Sequence, residues 1–228
     1  MKKTIISTAL ISFALFVSAY AQAQAIEAVY GMKFENTAAV KAAMTGLFED
    51  NAVRGNKATL YAHDLGVPGE ATHTIVADYD SYAARDKLDQ ARRESHGWAN
   101  YMLATQDSEL VSGNLAVVVK DYGKPRHEAG YLVAFTMQVS DPGKYVVELD
   151  KLNDAVSHPG VLRLVALRSG PADMTHAVLI GASDFAAANK YLDKLFASDA
   201  YANFNKEVGD LRKIHNVAMY RRVGAWGY

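Results

Sequence analysis

One stretch of the chain occurs twice, and this repetition decides the fold. Residues 68–101 read PGEATHTIVADYDSYAARDKLDQARRESHGWANY, and residues 171–204 read PADMTHAVLIGASDFAAANKYLDKLFASDAYANF. A shift of 103 residues aligns them without a gap, so that Thr72-His73 falls on Thr175-His176. Many mismatches are like for like, such as Tyr82 with Phe185. A repeat near 100 residues that occurs twice indicates a duplicated domain and not a solenoid of short units.

Each copy predicts the same order of elements, because apolar strand-like runs alternate with capped amphipathic runs. In the first copy the predicted strands cover 28–34, 58–64, 72–79 and 114–120, with helices over 37–50, 82–94 and 98–103. In the second copy the strands cover 131–139, 161–168, 175–180 and 215–222, with helices over 142–157, 185–196 and 199–211. Asn36 and Asp141 are favourable N-caps for the first helix of each copy.

The order β-α-β-β-α-β defines the ferredoxin-like unit, which carries its helices on one face of an antiparallel sheet. The other face must also be buried, and in the first strand both faces are largely apolar. We therefore predict an α+β protein of two tandem ferredoxin-like βαββαβ units with their sheets packed face to face. The predicted boundaries are 24–122 for the first unit, 123–127 for a linker and 128–228 for the second unit.

This duplicated order resembles the dimeric α/β-barrel superfamily, which includes antibiotic-monooxygenase-like proteins, their stress-response relatives and the chlorite dismutases. The resemblance covers nearly all of the chain after the first residues. It rests on element order and duplication and on no diagnostic motif, so it implies a fold far more than an activity.

The first residues have the form of a secretory signal. Lys2 and Lys3 precede an apolar run over 4–19, and small residues follow at the spacing of an A-x-A cleavage site. We predict a signal peptide over 1–23, a mature start at Gln22 or Gln24, and a periplasmic or secreted protein; the alternative is an uncleaved anchor. No later segment is long and apolar enough to span a membrane.

Composition excludes several classes of function. The chain has no cysteine, which rules out disulfides, thiolate nucleophiles and cysteine-ligated metal sites. Loss of Lys2 and Lys3 leaves 22 basic against 25 acidic residues, a net charge of about −3, with no basic cluster. Nucleic acid is therefore not an expected partner. The histidines show no tight metal-ligand spacing, so no metal is predicted, and no catalytic residue can be assigned.

Polar residues that differ between the copies are the first site candidates, because one ligand needs only one group of each kind. Lys33, Thr136 and Gln138 interrupt the less bulky face of the first strand of each copy, and His63 follows Thr59 and Tyr61 on the second strand. We predict that Lys33, His63 and Thr136 border one cavity. The alternative is that they lie at strand ends and reach solvent.

Two sets of residues are shared by both copies. His73 and His176 begin the third strand of each copy, as a ligand or proton-transfer pair or as a polar strand start retained from the duplication. Trp98 and Tyr201 recur at equivalent places and favour packing over a unique site.

His158 ends the first helix of the second copy, broadly where chlorite-dismutase-like proteins carry the histidine that ligates haem. The resemblance thus implies His158 as a cofactor-binding residue, in the haem alternative alone. The alternative is a helix C-terminal histidine favoured by the helix dipole.

The leading hypothesis is an exported protein that binds a small, largely apolar molecule between its two sheets, with no cofactor. The competing hypotheses are a cofactor-independent monooxygenase-like oxidoreductase or, more remotely, a haem protein, and a structural or stress-response accessory protein. Self-association is possible.

Overall fold

The computed structural model describes residues 24–228, so the predicted signal peptide lies outside the described residues. The first unit contains four strands and three helices in the predicted order. They are β1 (Ile26–Lys33), α1 (Thr37–Glu49), β2 (Lys57–Leu65), β3 (His73–Tyr79), α2 (Tyr82–Arg93), α3 (His96–Ala104) and β4 (Glu109–Gly123).

The second unit repeats this order after a short turn over Arg126–Glu128. Its elements are β5 (Tyr131–Val139), α4 (Pro142–Ala155), β6 (Val161–Leu167), β7 (His176–Ala182), α5 (Phe185–Phe196), α6 (Asp199–Val208) and β8 (Arg212–Trp226). The register agrees with the duplication, because Met32 pairs with His73 in the first unit and Met137 pairs with His176 in the second. Asn36 and Asp141 cap α1 and α4 with their side chains, as predicted.

The two sheets form a single closed barrel. All neighbouring strands are antiparallel, and their order is β1-β3-β2-β8-β5-β7-β6-β4, with β4 returning to β1. The sheets face each other as predicted, but they also join at their edges, where β2 pairs with β8 and β4 pairs with β6. Closure satisfies the backbone groups that an edge strand would leave unpaired.

Apolar side chains fill the middle of the barrel and both helix-covered faces. Inside the barrel, Tyr61, Val76 and Leu132 form one cluster, while Ala116 and Val165 belong to another. Outside, the helices of each unit pack through separate clusters on their own strands and on the end of the other unit's last strand, which contributes Tyr122 to one cluster and Trp226 to the other. Side chains that fill the interior of an eight-stranded barrel leave no through channel. Any cavity connected with the interior must therefore lie near an end of the barrel.

Two strands are longer than predicted. β4 extends over Glu109–Gly123 and β8 over Arg212–Trp226, whereas the sequence predicted 114–120 and 215–222. Both are paired along much of their length by neighbours from both units, and this tertiary pairing extends the strands through polar segments with weak local signals.

The barrel has two distinguishable ends. At one end β1 and β2 begin and β4 and β8 finish; we call it the linker end, because residues 123–127 run there. The other is the distal end. Among residues 24–228 no helix is long and apolar enough to cross a membrane.

Candidate functional site

Charged side chains occupy inward positions near the linker end of the barrel. Glu27 on β1 is 2% exposed, and its register partner on β3 is Asp78. Arg163 lies on β6, two residues before the inward-facing Val165. Charged groups are rarely buried without partners, because desolvation costs far more than most contacts return. These residues therefore require a compensating network, and the linker supplies its central member.

Arg126 enters the barrel end from the linker and is only 3% exposed. Its Nε donates to Glu27 at 3.0 Å, one terminal nitrogen donates to the Tyr61 hydroxyl at 3.0 Å, and the other donates to Asp78 at 2.6 Å. A planar guanidinium can satisfy three such partners at once, which an ammonium group cannot match in geometry. We call Glu27, Tyr61, Asp78, Arg126 and Arg163 the linker-end network.

The pKa shifts of Arg126 and Asp78 favour a charged ion pair between these two side chains. Burial alone would lower the pKa of Arg126, but the surrounding Tyr61, Glu27 and Asp78 outweigh it and hold this pKa well above its ordinary value. Burial would likewise raise the pKa of Asp78, but the charge of Arg126 and a hydrogen bond from Tyr228 lower it overall. Both groups are therefore ionised at neutral pH.

Arg163 links the network to β4, the strand that neighbours β6. It forms an ion pair with Glu27, and it also makes a bidentate contact with Asp121 at 2.5 and 2.8 Å. Asp121 lies on β4, the strand between β6 and β1. Arg163 thus connects the second unit to two strands of the first.

A cavity of about 220 Å³ opens beside this network. Its wall combines charged, aromatic and apolar residues from both units and the linker. They are Ala25, Ile26, Lys57, Asp78, Tyr79, Asp80, Val118, Asp121, Pro125, Arg126, His127, Arg163 and Tyr228. We call it the linker-end cavity. Its size suits a small organic molecule, somewhat below the range of about 300–1,000 Å³ typical of drug-sized ligands.

Tyr228 and His127 lie next to each other in the wall of this cavity. Their rings stack with centroids 3.7 Å apart and an interplanar angle of 17°. The Tyr228 hydroxyl lies 3.0 Å from that of Thr59 and donates to Asp78. Burial and the nearby Asp78 carboxylate raise the pKa of Tyr228, so it remains a neutral phenol. Burial lowers the pKa of His127, which favours a neutral imidazole.

The residues proposed from the copy differences lie at the distal end. Lys33 is exposed and paired with Glu70 at 2.7 Å, and Gln138 is exposed. The Thr136 hydroxyl donates to the carbonyl of Asn216 at 3.3 Å. His63 is half-buried, with its ring nitrogens 2.7 Å from the Ala71 carbonyl and 2.8 Å from the Thr74 hydroxyl. None of the four lines the linker-end cavity, and their role in ligand binding stays a prediction.

The paired histidines have matching surroundings. His73 and His176 are buried, and each accepts or donates a hydrogen bond through Nδ1 with the preceding threonine, at 2.8 and 2.9 Å. His73 also contacts the Thr37 hydroxyl through Nε2 at 2.9 Å. Both face the helices, on the side of β3 and β7 away from the barrel interior. The two side chains therefore do not meet at a common site.

The haem alternative can be tested against the second unit. A cavity of about 40 Å³ lies between its sheet and helices, lined by residues such as Met137, Tyr145 and Arg212. This volume is far below the several hundred Å³ that a ligand as large as haem needs. His158 does not line it and packs instead on Gly123, so closely that a Cβ atom at that glycine would collide with the imidazole. The residues present therefore do not fit haem.

Metal binding finds no ready site in the described part of the chain. No group of three or more histidine, aspartate or glutamate side chains within residues 24–228 is arranged to hold an ion.

Sequence reasoning missed the linker-end network. Arg126 lies in the segment 123–127, whose composition predicts a turn-rich linker, and nothing local distinguishes it from a solvent-exposed arginine. A usable signal was present in the strands: Glu27, Asp78 and Arg163 each interrupt an apolar strand at an inward position. Three such interruptions in a closed barrel imply a buried ion network.

Comparison with known proteins supports the fold. No protein-family profile matches the chain, and no curated protein matches it in sequence. A candidate monooxygenase from Fusobacterium nucleatum subsp. nucleatum is similar in structure, with a TM-score of 0.61, 13% identity, and coverage of 90% of this chain and 94% of that one. A candidate monooxygenase from Lactobacillus acidophilus gives a TM-score of 0.61 at 10% identity, covering 89% and 96%.

A haem-binding protein from Thermus thermophilus is also similar, with a TM-score of 0.50, 11% identity, and coverage of 88% and 92%. At such low identity these likenesses establish the architecture alone. The chain has the dimeric α/β-barrel fold, with two ferredoxin-like units in tandem, as the resemblance in its sequence implied.

Proposed function

We propose that this protein binds a small organic molecule in the linker-end cavity. The observation that carries the proposal is the position of a buried, fully charged arginine, Arg126, in the wall of a cavity of about 220 Å³. Convergent polar groups in a partly apolar concave site are the usual composition of a small-molecule site. The charges are held in fixed places by the barrel, so they need no reorganisation when a ligand arrives.

The ligand suited to this cavity carries a polar group on an apolar body. Lys57, Arg126 and Arg163 face Asp78, Asp80 and Asp121, so the wall offers both signs of charge, while Ile26, Val118 and the Tyr228 ring supply apolar surface. This differs from the largely apolar ligand expected from the sequence, because the apolar middle of the barrel is filled by its own side chains.

Binding can be tested by thermal unfolding of the purified protein against a library of small polar-apolar compounds. A compound that binds only the native state raises the unfolding temperature, and the increase grows with the logarithm of its concentration once this exceeds the dissociation constant. His127→Ala should abolish the shift, since His127 lines the cavity without belonging to the ion network. Lys33→Ala is the matched control at the distal end and should leave the shift unchanged. Equal loss in both variants would contradict the linker-end site.

An oxidoreductase is the second candidate, supported by the fold shared with two candidate monooxygenases. Oxygen consumption by the purified protein with each bound compound distinguishes catalysis from binding alone. If no compound raises the unfolding temperature and no oxygen is consumed, the result would favour the accessory-protein hypothesis.

Export is a further part of the proposal. The segment Met1-Lys2-Lys3 with the apolar run over 4–19 supports a cleaved signal. N-terminal sequencing of the protein from the periplasm of a bacterial host should begin at Gln22 or Gln24. Intact protein in the membrane fraction would show an anchor instead.

A further inference from the structure

The side chain of Tyr228 lines the linker-end cavity without belonging to a strand. β8 ends at Trp226, which pairs with Ala58, and Tyr228 follows two residues later. Gly227 between them has a φ of 78°, and a Cβ atom there would collide with the carbonyl of Asn56. Any other residue would be strained at this φ, so Gly227 sets the direction in which the chain carries Tyr228 to the cavity.

Tyr228 makes the contacts that a bound phenol would make. Its ring stacks on the imidazole of His127, and its hydroxyl donates to Asp78. A hydroxyl has one proton, so in the contact of 3.0 Å with the Thr59 hydroxyl the Tyr228 oxygen accepts. Thr59 is fully buried and does not itself line the cavity, so the Tyr228 hydroxyl reaches past the cavity wall into the barrel. A ring, a donor and an ionised acceptor thus converge on one phenol.

Tyr228 is held less firmly than the network beneath it. It is 46% exposed, whereas Arg126 is 3% exposed. Its departure would break one stack and two hydrogen bonds and would leave the ion pairs of Arg126 with Glu27 and Asp78 in place. Asp78 would lose a donor, and a ligand hydroxyl at the same place would restore that hydrogen bond. The position of Tyr228 can therefore be vacated without disruption of the barrel.

We propose, on the basis of the function proposed for the linker-end cavity, that its ligand is a small phenol and that Tyr228 occupies the position of this ligand until it is displaced. The ligand ring then stacks on His127, while the ligand hydroxyl donates to Asp78 and accepts from Thr59. A site built to hydrogen-bond a hydroxyl rejects a ring that lacks one. A carboxylate in the same place would face the like charge of Asp78.

Tyr228 and the ligand compete for the same contacts, so the ligand binds only when Tyr228 has left. The apparent dissociation constant is then raised in inverse proportion to the open fraction of the protein. Removal of the Tyr228 ring should therefore tighten the binding, although it removes a residue from the cavity wall. A residue that only contributed contact area to the ligand would have the opposite effect.

The probe is 4-methylphenol, which reproduces the tyrosine side chain, with its dissociation constant measured by calorimetry. Tyr228→Ala should bind it about tenfold more tightly than the wild type. Gly227→Ala should also tighten the binding, because it keeps the phenol but disturbs the turn that positions it. Tyr82→Ala is the matched control, since Tyr82 is 47% exposed, lies on α2 and does not line the cavity. Unchanged circular dichroism should show that each variant is folded.

Displacement is measured in the wild-type sequence by fluorine NMR of protein labelled with 3-fluorotyrosine. The resonance that is missing from Tyr228→Phe belongs to Tyr228. At a 4-methylphenol concentration about a hundredfold above the dissociation constant of Tyr228→Ala, this resonance should move to the position of a solvent-exposed tyrosine. The resonances of the other tyrosines should stay in place.

The ligand class is tested with two analogues on Tyr228→Ala. Toluene lacks the hydroxyl and 4-methylbenzoate replaces it with a carboxylate, so each should bind at least about tenfold more weakly than 4-methylphenol. Equal affinity of wild type and Tyr228→Ala, an unmoved Tyr228 resonance, or equal or tighter binding of either analogue would each overturn the inference. The linker-end site itself would still stand if another compound gave a thermal shift that His127→Ala abolishes, and it would fall if no compound did.

Discussion

Arg126 and Glu27 are 99 residues apart in the chain, yet Nε of the arginine lies 3.0 Å from Oε1 of the glutamate and both side chains are 3% exposed. The contact joins the linker to the first strand. Arg163 of the second unit shares the same carboxylate. One buried glutamate therefore ties together both halves of the duplication and the segment that connects them.

Replacement of Arg126 should strongly destabilise the fold. Arg126→Met leaves Glu27 and Asp78 without their principal cation, and removal of one partner of a buried pair costs about 3–5 kcal/mol. Chemical denaturation should show this loss as a lower midpoint. Lys33→Ala is the control, because its ion pair with Glu70 is exposed and such pairs contribute about 0–1 kcal/mol. A similar small effect in both variants would contradict the structural role of the network.

The two threonines that precede the paired histidines should contribute equally. The Thr72 hydroxyl accepts from the Phe34 amide at 3.0 Å, and the Thr175 hydroxyl accepts from the Val139 amide at 2.9 Å. Thr72→Val and Thr175→Val should each reduce the free energy of unfolding by about 1 kcal/mol. The two sites share no partners, so the double variant should lose the sum. If only one of the two single variants lost stability, the two threonines would not contribute equally despite their similar geometry.

Stability should decrease as the pH falls from about 7 towards 5. Burial lowers the pKa of His63, His73 and His176 in the folded protein. In the unfolded chain these histidines have a pKa of about 6.5, so as the pH falls the unfolded state binds protons before the folded state does. The stabilisation is complete above the unfolded pKa and is lost as the pH falls towards the folded values. The thermal midpoint at pH 7.5 and 5.5 measures this (both about one unit from the unfolded pKa).

His73→Asn and His176→Asn supply the comparison for the pH dependence. Each variant removes one buried histidine. The difference in thermal midpoint between the two pH values should therefore be smaller than in the wild type, even if the variant is less stable at both. A variant curve parallel to the wild type would assign the pH dependence to other groups.

Haem should not bind at a defined site. The helix–sheet cavity of the second unit is about 40 Å³, and His158 is packed against Gly123. Titration of the protein with haem should give no saturable Soret change at equal concentrations. His158→Ala should not alter the spectrum. A saturable change that His158→Ala removes would show that the second unit opens to accept the cofactor.

Much of the fold was predictable because its signals are local or repeated. Apolar alternation, caps at Asn36 and Asp141, and the repeated Thr-His pair give the element order of both units. The ends of β4 and β8 were predicted too short, because their terminal segments are extended by pairing with strands distant in sequence. Local propensity carries no information about such partners.

The candidate site was the least predictable feature. The differences between the copies predict a site at Lys33, His63 and Thr136, which the structure places at the distal end. The linker-end network instead joins residues from β1, β2, β3, β6 and the linker, and its central member, Arg126, has no local feature that distinguishes it from an exposed arginine.

The sequence by itself determined the duplication, the order of elements and the α+β class, because hydrophobic periodicity and capping act over a few residues. Only the tertiary structure decided that the two sheets close into one barrel and that Arg126 enters its end. Closure depends on the shear and tilt of all eight strands together. The burial of a charge depends on partners that become neighbours only after closure, and no single segment specifies them.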